Sequence, residues 1–172
     1  RWRHGPSPVG QAADPLSDVE FLAPPTPVGD ALLAPYRSAG DLYAAVLDPA
    51  SGQLRRQIYL CGLGSGDVNS FEPLQPCVAD GVAYVPTNRG VLLAIDTTTW
   101  TIRWASRYPQ DLATTPAVVE RFPNEQRAFA TSIGWRDCPP IATSGLVLLA
   151  PADADRLYAF NRVDGRISWI VK

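Results

Sequence analysis

Some residue types are scarce or missing in this 172-residue chain. It contains no methionine, a single histidine (His4) and, among its 15 basic residues, a single lysine (Lys172). The absent methionine predicts a processed chain or a piece of a longer one. The formal net charge of −2 gives no electrostatic reason to expect binding to nucleic acid or to an anionic membrane. The longest apolar run, residues 146–152, is far shorter than the roughly 20 residues that span a bilayer.

Cysteine and histidine are too few for the common catalytic and metal-binding arrangements. Cys61, Cys77 and Cys138 are an odd number, so at least one has no disulfide partner within the chain. Their spacings fit no zinc-binding pattern and include no CxxC pair. Cys61 and Cys77 could pair in an exported protein or remain buried thiols, and the sequence leaves both open. A Ser-His-Asp triad would rest on His4 alone.

The abundant residues indicate a folded domain with many turns. Apolar residues make up 46% of the chain, and 17 prolines and 13 glycines imply short elements. Residues 78–104 and 141–169 repeat one pattern: a glycine turn, two short apolar strands, an Asp or Asn, a tight turn and a closing tryptophan. Residues 26–56 form a weaker third copy, in which Arg56 replaces the tryptophan. Similar cores at uneven spacing indicate a constant unit with insertions of variable length.

The repeated unit is all β, because its short apolar segments are rich in Val, Leu, Ile and Tyr and are bounded by turn residues. A repeated four-stranded antiparallel unit of this length predicts the blade of a β-propeller. The closing tryptophan is expected to wedge against the next blade. Trp100 stands where glycine is usual, which predicts a turn of different shape. The residues that define the unit are Asp48, Gly52, Gly81, Asp96, Trp104, Gly145, Gly165 and Trp169.

These units predict one all-β domain over residues 1–172, a partial β-propeller of about three four-stranded antiparallel blades. The blades are placed at residues 23–60, 74–108 and 112–172, and the last carries a long insertion at 108–135. Because propellers close with about four to eight blades, we expect a fragment of a larger ring. The remaining blades would come from a longer parent chain or from self-assembly.

The order of glycine turn, G-x-L-x-A-x-D, Thr-Gly-like turn and closing tryptophan resembles the PQQ-like (quinoprotein-type) β-propeller repeat family. Residues 80–104 and 144–169 carry this resemblance best. Some members of the family are dehydrogenases that hold pyrroloquinoline quinone and calcium. Others are cofactor-free bacterial propellers, related to the outer-membrane assembly lipoprotein, that present loops to partner proteins. The resemblance alone implies an extracytoplasmic location, periplasmic or secreted.

The sequence offers little of the chemistry that the dehydrogenase branch needs. The resemblance implies an adjacent cysteine pair near the quinone and, in many members, a CxxCH haem site, and the sequence has neither. Asp67, Asn69 and Glu72 could offer calcium ligands, but they lack the spacing and the glycine of an EF-hand. The glycine-rich stretch 62–66 lacks the Lys-Ser/Thr and the helix of a phosphate loop. We assign no catalytic, cofactor-binding or metal-binding residue, and expect pyrroloquinoline quinone and calcium only in a larger parent.

The long insertion at 108–135 is the best candidate for a partner-binding surface. Its mixture of arginine and aromatic residues is typical of protein interfaces, although the aromatic residues could instead form the core of the third blade. The candidates are Arg121, Phe122, Arg127, Phe129 and Trp135. Acids at turns and loop ends, Asp153 among them, are expected to be solvated turn residues.

The sequence thus predicts a non-catalytic scaffold for protein–protein interaction, with a protein as its partner. One alternative is a structural part of a PQQ-dependent quinoprotein dehydrogenase whose catalytic residues lie outside this chain. The other is a carbohydrate-binding propeller, which an exposed aromatic residue such as Trp100 beside Asp or Asn would favour.

Overall fold

The computed structural model describes residues 14–62, 73–110 and 138–172. All regular structure in these ranges is β-strand, with thirteen strands in three antiparallel sheets, and no helix within them could cross a membrane. Sheet 1 contains β1 (Glu20–Phe21), β2 (Thr26–Val28), β3 (Ala31–Ser38), β4 (Asp41–Leu47) and β5 (Leu54–Gly62). Sheet 2 contains β6 (Cys77–Ala79), β7 (Val82–Pro86), β8 (Val91–Asp96) and β9 (Ile102–Arg107). Sheet 3 contains β10 (Ile141–Ala142), β11 (Leu146–Leu149), β12 (Leu157–Asn161) and β13 (Ile167–Val171).

Consecutive strands are neighbours in each sheet, except that two short strands share one edge of β3 in sheet 1. β1 pairs with the C-terminal half of β3, and β2 pairs with its N-terminal half. Pro24 and Pro25 lie between β1 and β2, where a residue without a backbone N–H interrupts the ladder. Sheet 1 therefore also has four strand positions. The predicted fold class, three four-stranded antiparallel units of a partial propeller, is confirmed.

Apolar cores lie between neighbouring sheets. Core 1–2 joins sheets 1 and 2 around Leu33 and Leu93, and core 2–3 joins sheets 2 and 3 around Tyr84 and Phe160. A third cluster covers the opposite face of sheet 1 around Tyr36. Central strands are apolar at successive positions because both of their faces are covered, and β7 is buried at every position. The last strand of each sheet exposes most of its residues.

The turn before the last strand has the same geometry in every sheet. It begins at Asp48, Asp96 or Asn161, whose carbonyl oxygen accepts a hydrogen bond from the backbone N–H four residues later, at 2.8, 2.8 and 2.9 Å. The side-chain oxygen of the same residue accepts the backbone N–H two residues later, at 2.8–2.9 Å. The Asp or Asn therefore fixes this turn, which we call the Asx turn.

The expectation that Trp100 gives its turn a different shape is wrong. The φ angle of Trp100 is +56°, in the same left-handed region as Gly52 and Gly165, both at +73°. The carboxylate of Asp96 accepts two backbone N–H bonds that hold the turn. Trp100 bears the cost of this conformation, about 1–2 kcal/mol for a residue with a Cβ atom.

A second turn lies beside each Asx turn in sheets 2 and 3. The carbonyl oxygen of Gly81 accepts a hydrogen bond from Thr97 N at 3.0 Å, and that of Gly145 accepts one from Arg162 N at 3.1 Å. Gly81 has a φ of +75°, which favours glycine at this turn. These bonds hold two turns together at one end of sheets 2 and 3, and this is one of the two ends at which polar contacts join the two sheets.

Candidate functional site

Sheets 2 and 3 are joined at their turn end by a tryptophan that lies on a glycine. The indole of Trp104, in β9, packs on the Asx turn of sheet 3, and its Nε1 donates a hydrogen bond to Arg162 O at 3.0 Å. A Cβ atom placed on Gly165 would lie 2.6 Å from Cε3 of that indole. Glycine is therefore needed at position 165 both for its φ of +73° and for the close approach of the ring. This is the wedge between blades that the sequence predicts for Trp104.

Arg162, one residue into the same turn, anchors sheet 3 to sheet 2. Its Nε donates to the hydroxyl of Tyr84 at 3.0 Å, and its Cζ lies 5.7 Å from the centroid of that ring. Its Nη1 donates to Asp80 Oδ2 at 2.9 Å and to Thr143 O at 2.7 Å, and Nη2 donates to Ala79 O at 3.3 Å. The hydrogen bond to Tyr84 and the pairing with Asp80 raise the pKa of the guanidinium. Sequence reasoning missed this residue, because the other copies have Pro and Thr there.

The other end of the same junction is held by Asp153, in the loop between β11 and β12. Its carboxylate accepts three hydrogen bonds from sheet 2: Gly90 N at 2.7 Å, Tyr108 Oη at 2.8 Å and Gln110 Nε2 at 2.7 Å. Burial, followed by the charge of Asp153, raises the pKa of Tyr108 far above its usual value. The expectation that Asp153 is a solvated turn residue is wrong, because its partners lie on the neighbouring sheet.

Asn88 continues this cluster of polar contacts between loops. It is buried, with a φ of +50°, in the turn between β7 and β8. Its Oδ1 accepts a hydrogen bond from Ala152 N at 3.3 Å, and its Nδ2 donates to Pro73 O at 3.4 Å. The side-chain amide of Asn88 therefore forms hydrogen bonds with backbone groups of two separate loops. Its own buried polar atoms are paired in this way, as burial requires.

The junction between sheets 1 and 2 has the opposite arrangement of side chains. Arg56 occupies the position of the docking tryptophan, and its Nη1 donates to Thr99 O in the Asx turn of sheet 2 at 3.0 Å. The large aromatic residue comes instead from that turn, where Trp100 packs against core 1–2. Trp100 is thus a packing residue between sheets, and it is not an open platform for a carbohydrate.

Acid–arginine pairs reinforce the first two Asx turns. Asp48 Oδ2 accepts a hydrogen bond from Arg55 at 2.5 Å, and Asp96 Oδ2 accepts one from Arg103 at 2.7 Å. Arg55 and turn hydrogen bonds lower the pKa of Asp48, and backbone N–H groups and Arg103 lower the pKa of Asp96, each far below its usual value. Sheet 3 begins its turn with the uncharged Asn161. These charges hold turns together and point to no reaction chemistry.

One row of aromatic side chains crosses sheet 1 and reaches its surface. Phe21, Tyr36, Tyr43 and Tyr59 stand opposite one another on β1, β3, β4 and β5, with ring centroids 6.0, 5.5 and 5.6 Å apart. We call these residues the aromatic row. Tyr36 is 2% exposed, whereas Tyr59 is 53% exposed. The hydroxyl of Tyr43 donates to Asp41 Oδ2 at 3.4 Å, which places a carboxylate near the outer end of the row.

The predicted interface and loop sites fall on parts of the chain that the structure does not describe. His4, the calcium candidates Asp67, Asn69 and Glu72, and most of the glycine-rich stretch 62–66 lie outside the described residues. The same holds for the interface candidates, which are Arg121, Phe122, Arg127, Phe129 and Trp135. Within ranges 14–62, 73–110 and 138–172, no group of three or more His, Cys, Asp or Glu residues could hold a metal ion.

The three cysteines are free thiols. Cys61 and Cys77 are half-buried, and Cys138 is exposed. Burial raises the pKa of the Cys61 thiol, which therefore has little thiolate character near neutral pH. Of the two alternatives for Cys61 and Cys77, the structure contains the unpaired one.

A known family matches more than half of the chain. The family described as outer membrane protein assembly factor BamB, whose members carry PQQ-like repeats, matches residues 45–172. The chain belongs to this family. No curated protein matches it.

Solved structures support the same fold. BamB from Moraxella catarrhalis superposes with a TM-score of 0.56 at 19% identity, over 87% of this chain and 38% of that one. The quinohemoprotein alcohol dehydrogenase ADHIIG from Pseudomonas putida HK5 superposes with a TM-score of 0.53 at 18% identity, over 86% of this chain and 20% of that one. The chain thus spans well under half the length of these structures. At such identities the similarity shows the fold alone. The two similar proteins differ in role, since one is named as an assembly factor and the other is an enzyme.

Proposed function

We propose that this chain is part of a non-catalytic propeller scaffold that binds another protein. The observation that carries this proposal is the outer end of the aromatic row. Tyr59 exposes half of its side chain, yet its ring is held by edge contact with Tyr43. A large aromatic residue that is already ordered loses little side-chain entropy on binding, and tyrosine is enriched among the residues that dominate interface energies. Asp41, which accepts a hydrogen bond from the hydroxyl of the neighbouring Tyr43, adds a charged group near this end of the row.

The positions of the charged residues also support a non-catalytic role. Asp48 and Asp96 accept hydrogen bonds from arginine side chains at their turns, and Asp153 accepts hydrogen bonds at the junction between sheets 2 and 3. The lowered pKa values of Asp48 and Asp96 come from these structural partners, so they give no reason to infer general acid–base chemistry. The family description, an assembly factor of the outer membrane, supports a protein partner and an extracytoplasmic location.

Photo-crosslinking in the native cell tests this proposal. A photoreactive amino acid replaces Tyr59, and in a control protein it replaces Val163, which is 87% exposed at a turn tip of sheet 3. We expect one discrete crosslinked protein from position 59 and none from position 163. The proposal fails if position 59 gives no discrete product, or if both positions give the same products.

Two further readouts distinguish the alternatives. Quinone absorbance in the purified native protein would favour a structural part of a PQQ-dependent dehydrogenase whose catalytic residues lie outside this chain. Binding to a glycan array that is lost in Tyr59→Ala would favour a carbohydrate-binding propeller. We expect neither signal from the native protein.

A further inference from the structure

The outer end of the aromatic row combines two tyrosine rings with a carboxylate on one face of sheet 1. Asp41 and Tyr43 are two positions apart in β4, so their side chains point to the same face, and Tyr59 stands opposite Tyr43 on β5. The two rings lie 5.6 Å apart at an interplanar angle of 72°. They therefore form a corner, and because Tyr59 is 53% exposed, solvent reaches it.

A glycine at the end of β5 leaves a space between the carboxylate and the outer ring. Gly62 stands opposite Asp41 in the strand ladder. A Cβ atom at position 62 would lie 3.3 Å from Asp41 Oδ1 and 3.4 Å from Tyr59 Oη, so both oxygens border the same point. Asp41 Oδ2 accepts the hydroxyl of Tyr43, which leaves Oδ1 as the oxygen that borders the space. We call the group of Asp41, Tyr43, Tyr59 and Gly62 the Tyr–Asp corner.

Asp41 differs from the other acids of sheet 1 in its partners. Each of the other three acids between residues 20 and 62 pairs with an arginine: Glu20 with Arg37, and Asp30 and Asp48 with Arg55. Among the residues that the structure describes, Asp41 forms no ion pair, and its hydrogen bond comes from the neutral hydroxyl of Tyr43. The Tyr–Asp corner therefore carries a negative charge that no described cation balances.

A cation is the ligand that suits both parts of the Tyr–Asp corner. A carboxylate oxygen accepts strong hydrogen bonds from ammonium and guanidinium groups. The face of an aromatic ring is the negative part of its π-system, and it attracts the same groups. The long apolar stem of a lysine or arginine can also pack along a half-exposed ring such as that of Tyr59. A neutral side chain of the same shape would gain only the packing.

We propose that the Tyr–Asp corner receives the cationic side chain of an arginine or lysine residue of a partner protein, an inference that rests on the proposed function. The cation donates to Asp41 Oδ1 and lies against the ring of Tyr59. Gly62 leaves the room for it, since a side chain there would fill the space between the two oxygens. The partner's contact surface is therefore basic at the point where it meets sheet 1.

NMR titration of the isotope-labelled full chain tests the Tyr–Asp corner without a known partner. The probes are acetylated and amidated tripeptides, Gly-Arg-Gly and Gly-Lys-Gly, and the matched control replaces arginine by citrulline, which has nearly the same shape but no charge. We expect saturable shifts of the Gly62 amide and Tyr59 ring signals with a cationic peptide and none with the citrulline peptide. The cationic peptide that binds more tightly identifies the preferred side chain. No saturable shift with either cationic peptide, or equal shifts with citrulline, overturns the proposal.

Substitutions separate the contributions of charge and ring. Asp41→Asn should weaken binding of the cationic peptide about two- to fivefold, and so should Tyr59→Leu, which keeps an apolar side chain but has no ring face. Tyr59→Phe should bind almost as the wild type does. Asp164→Asn, which makes the same change in net charge at an exposed turn of sheet 3, is the control and should leave the affinity unchanged. Equal affinities for Asp41→Asn and Asp164→Asn, or wild-type affinity for Tyr59→Leu, would overturn the proposal.

Crosslinking from position 59 distinguishes failure of this inference from failure of the proposed function. The photoreactive residue is aromatic, so a ring remains at position 59. We expect Asp41→Asn to lower the yield of the discrete crosslinked product and Asp164→Asn to leave it unchanged. A product of equal yield in Asp41→Asn keeps the protein partner but overturns its cationic side chain. No product from position 59 overturns the proposed function, and the peptide titration then decides alone whether the Tyr–Asp corner binds a cation.

Discussion

Replacing Gly165 by alanine perturbs the junction between sheets 2 and 3 by one methyl group. The φ of +73° costs a residue with a Cβ atom about 1–2 kcal/mol. The methyl group would also lie 2.6 Å from Cε3 and 2.7 Å from Cδ2 of Trp104, and relieving such overlap costs about 1–3 kcal/mol. We therefore expect Gly165→Ala to lower the free energy of unfolding by about 2–5 kcal/mol.

Gly29 provides a matched control for this change. Its φ is +57°, and a Cβ atom there would meet no heavy atom within 4 Å. Gly29→Ala should therefore cost only the conformational part, about 1–2 kcal/mol. The effect of alanine on the unfolded chain is common to both variants and cancels in the comparison.

Urea unfolding followed by circular dichroism measures both costs. A further variant, Trp104→Leu, keeps an apolar side chain while removing the ring atoms that approach position 165. In that background the cost of Gly165→Ala should fall to that of Gly29→Ala, which gives a coupling of about 1–3 kcal/mol. Equal costs at positions 165 and 29, or a cost at 165 that Trp104→Leu leaves unchanged, would refute the reasoning.

Three other perturbations test the remaining contacts. Asp153→Asn leaves a poorer acceptor for three donors and should lower the free energy of unfolding by about 1–3 kcal/mol. The control Asp164→Asn, at an exposed turn, should change it little. Equal urea midpoints for the two variants would contradict this. Arg162→Lys keeps the charge but loses the forked geometry of the guanidinium, so we expect the free energy of unfolding to fall by about 1–3 kcal/mol. High salt should not cause an equal fall in the wild type. Folding lowers the pKa of Asp48 and Asp96, so their stabilisation is complete above the unfolded value of about 3.9 and is lost as the pH falls towards the folded values. The double variant Asp48→Asn, Asp96→Asn should therefore lose less stability than the wild type between pH 7 and about pH 3 in urea titrations, and identical losses would count against the assigned shifts.

The sheets were predictable because their signals are local. Apolar segments bounded by glycine, proline and Asx residues identify short strands, and the repeated spacing from Asx to tryptophan identifies the unit. The docking of Trp104 also follows from the repeat, because a large side chain at the end of each unit must be covered by its neighbour. These inferences need no knowledge of which loops meet in space.

The contacts between loops were not predictable from the sequence. Asp153 meets Gly90 across 63 positions of the chain, and Arg162 meets Asp80 across 82. Neither pair has a repeat equivalent that would reveal it, because the loop of Asp153 and the residue at position 162 differ among the copies. The shape of the turn at Trp100 was missed for another reason: the hydrogen bonds of Asp96 outweigh the local preference of a bulky residue.

Native mass spectrometry of the protein isolated from its source, as wild type and as Tyr59→Ala, tests the scaffold proposal most directly. Tyr59 is 53% exposed, so its truncation should leave the sheets folded. We predict a complex with a second protein that the variant loses, and no added mass from a quinone. A bound quinone, together with a protein that has no partner in either form, would contradict the proposal.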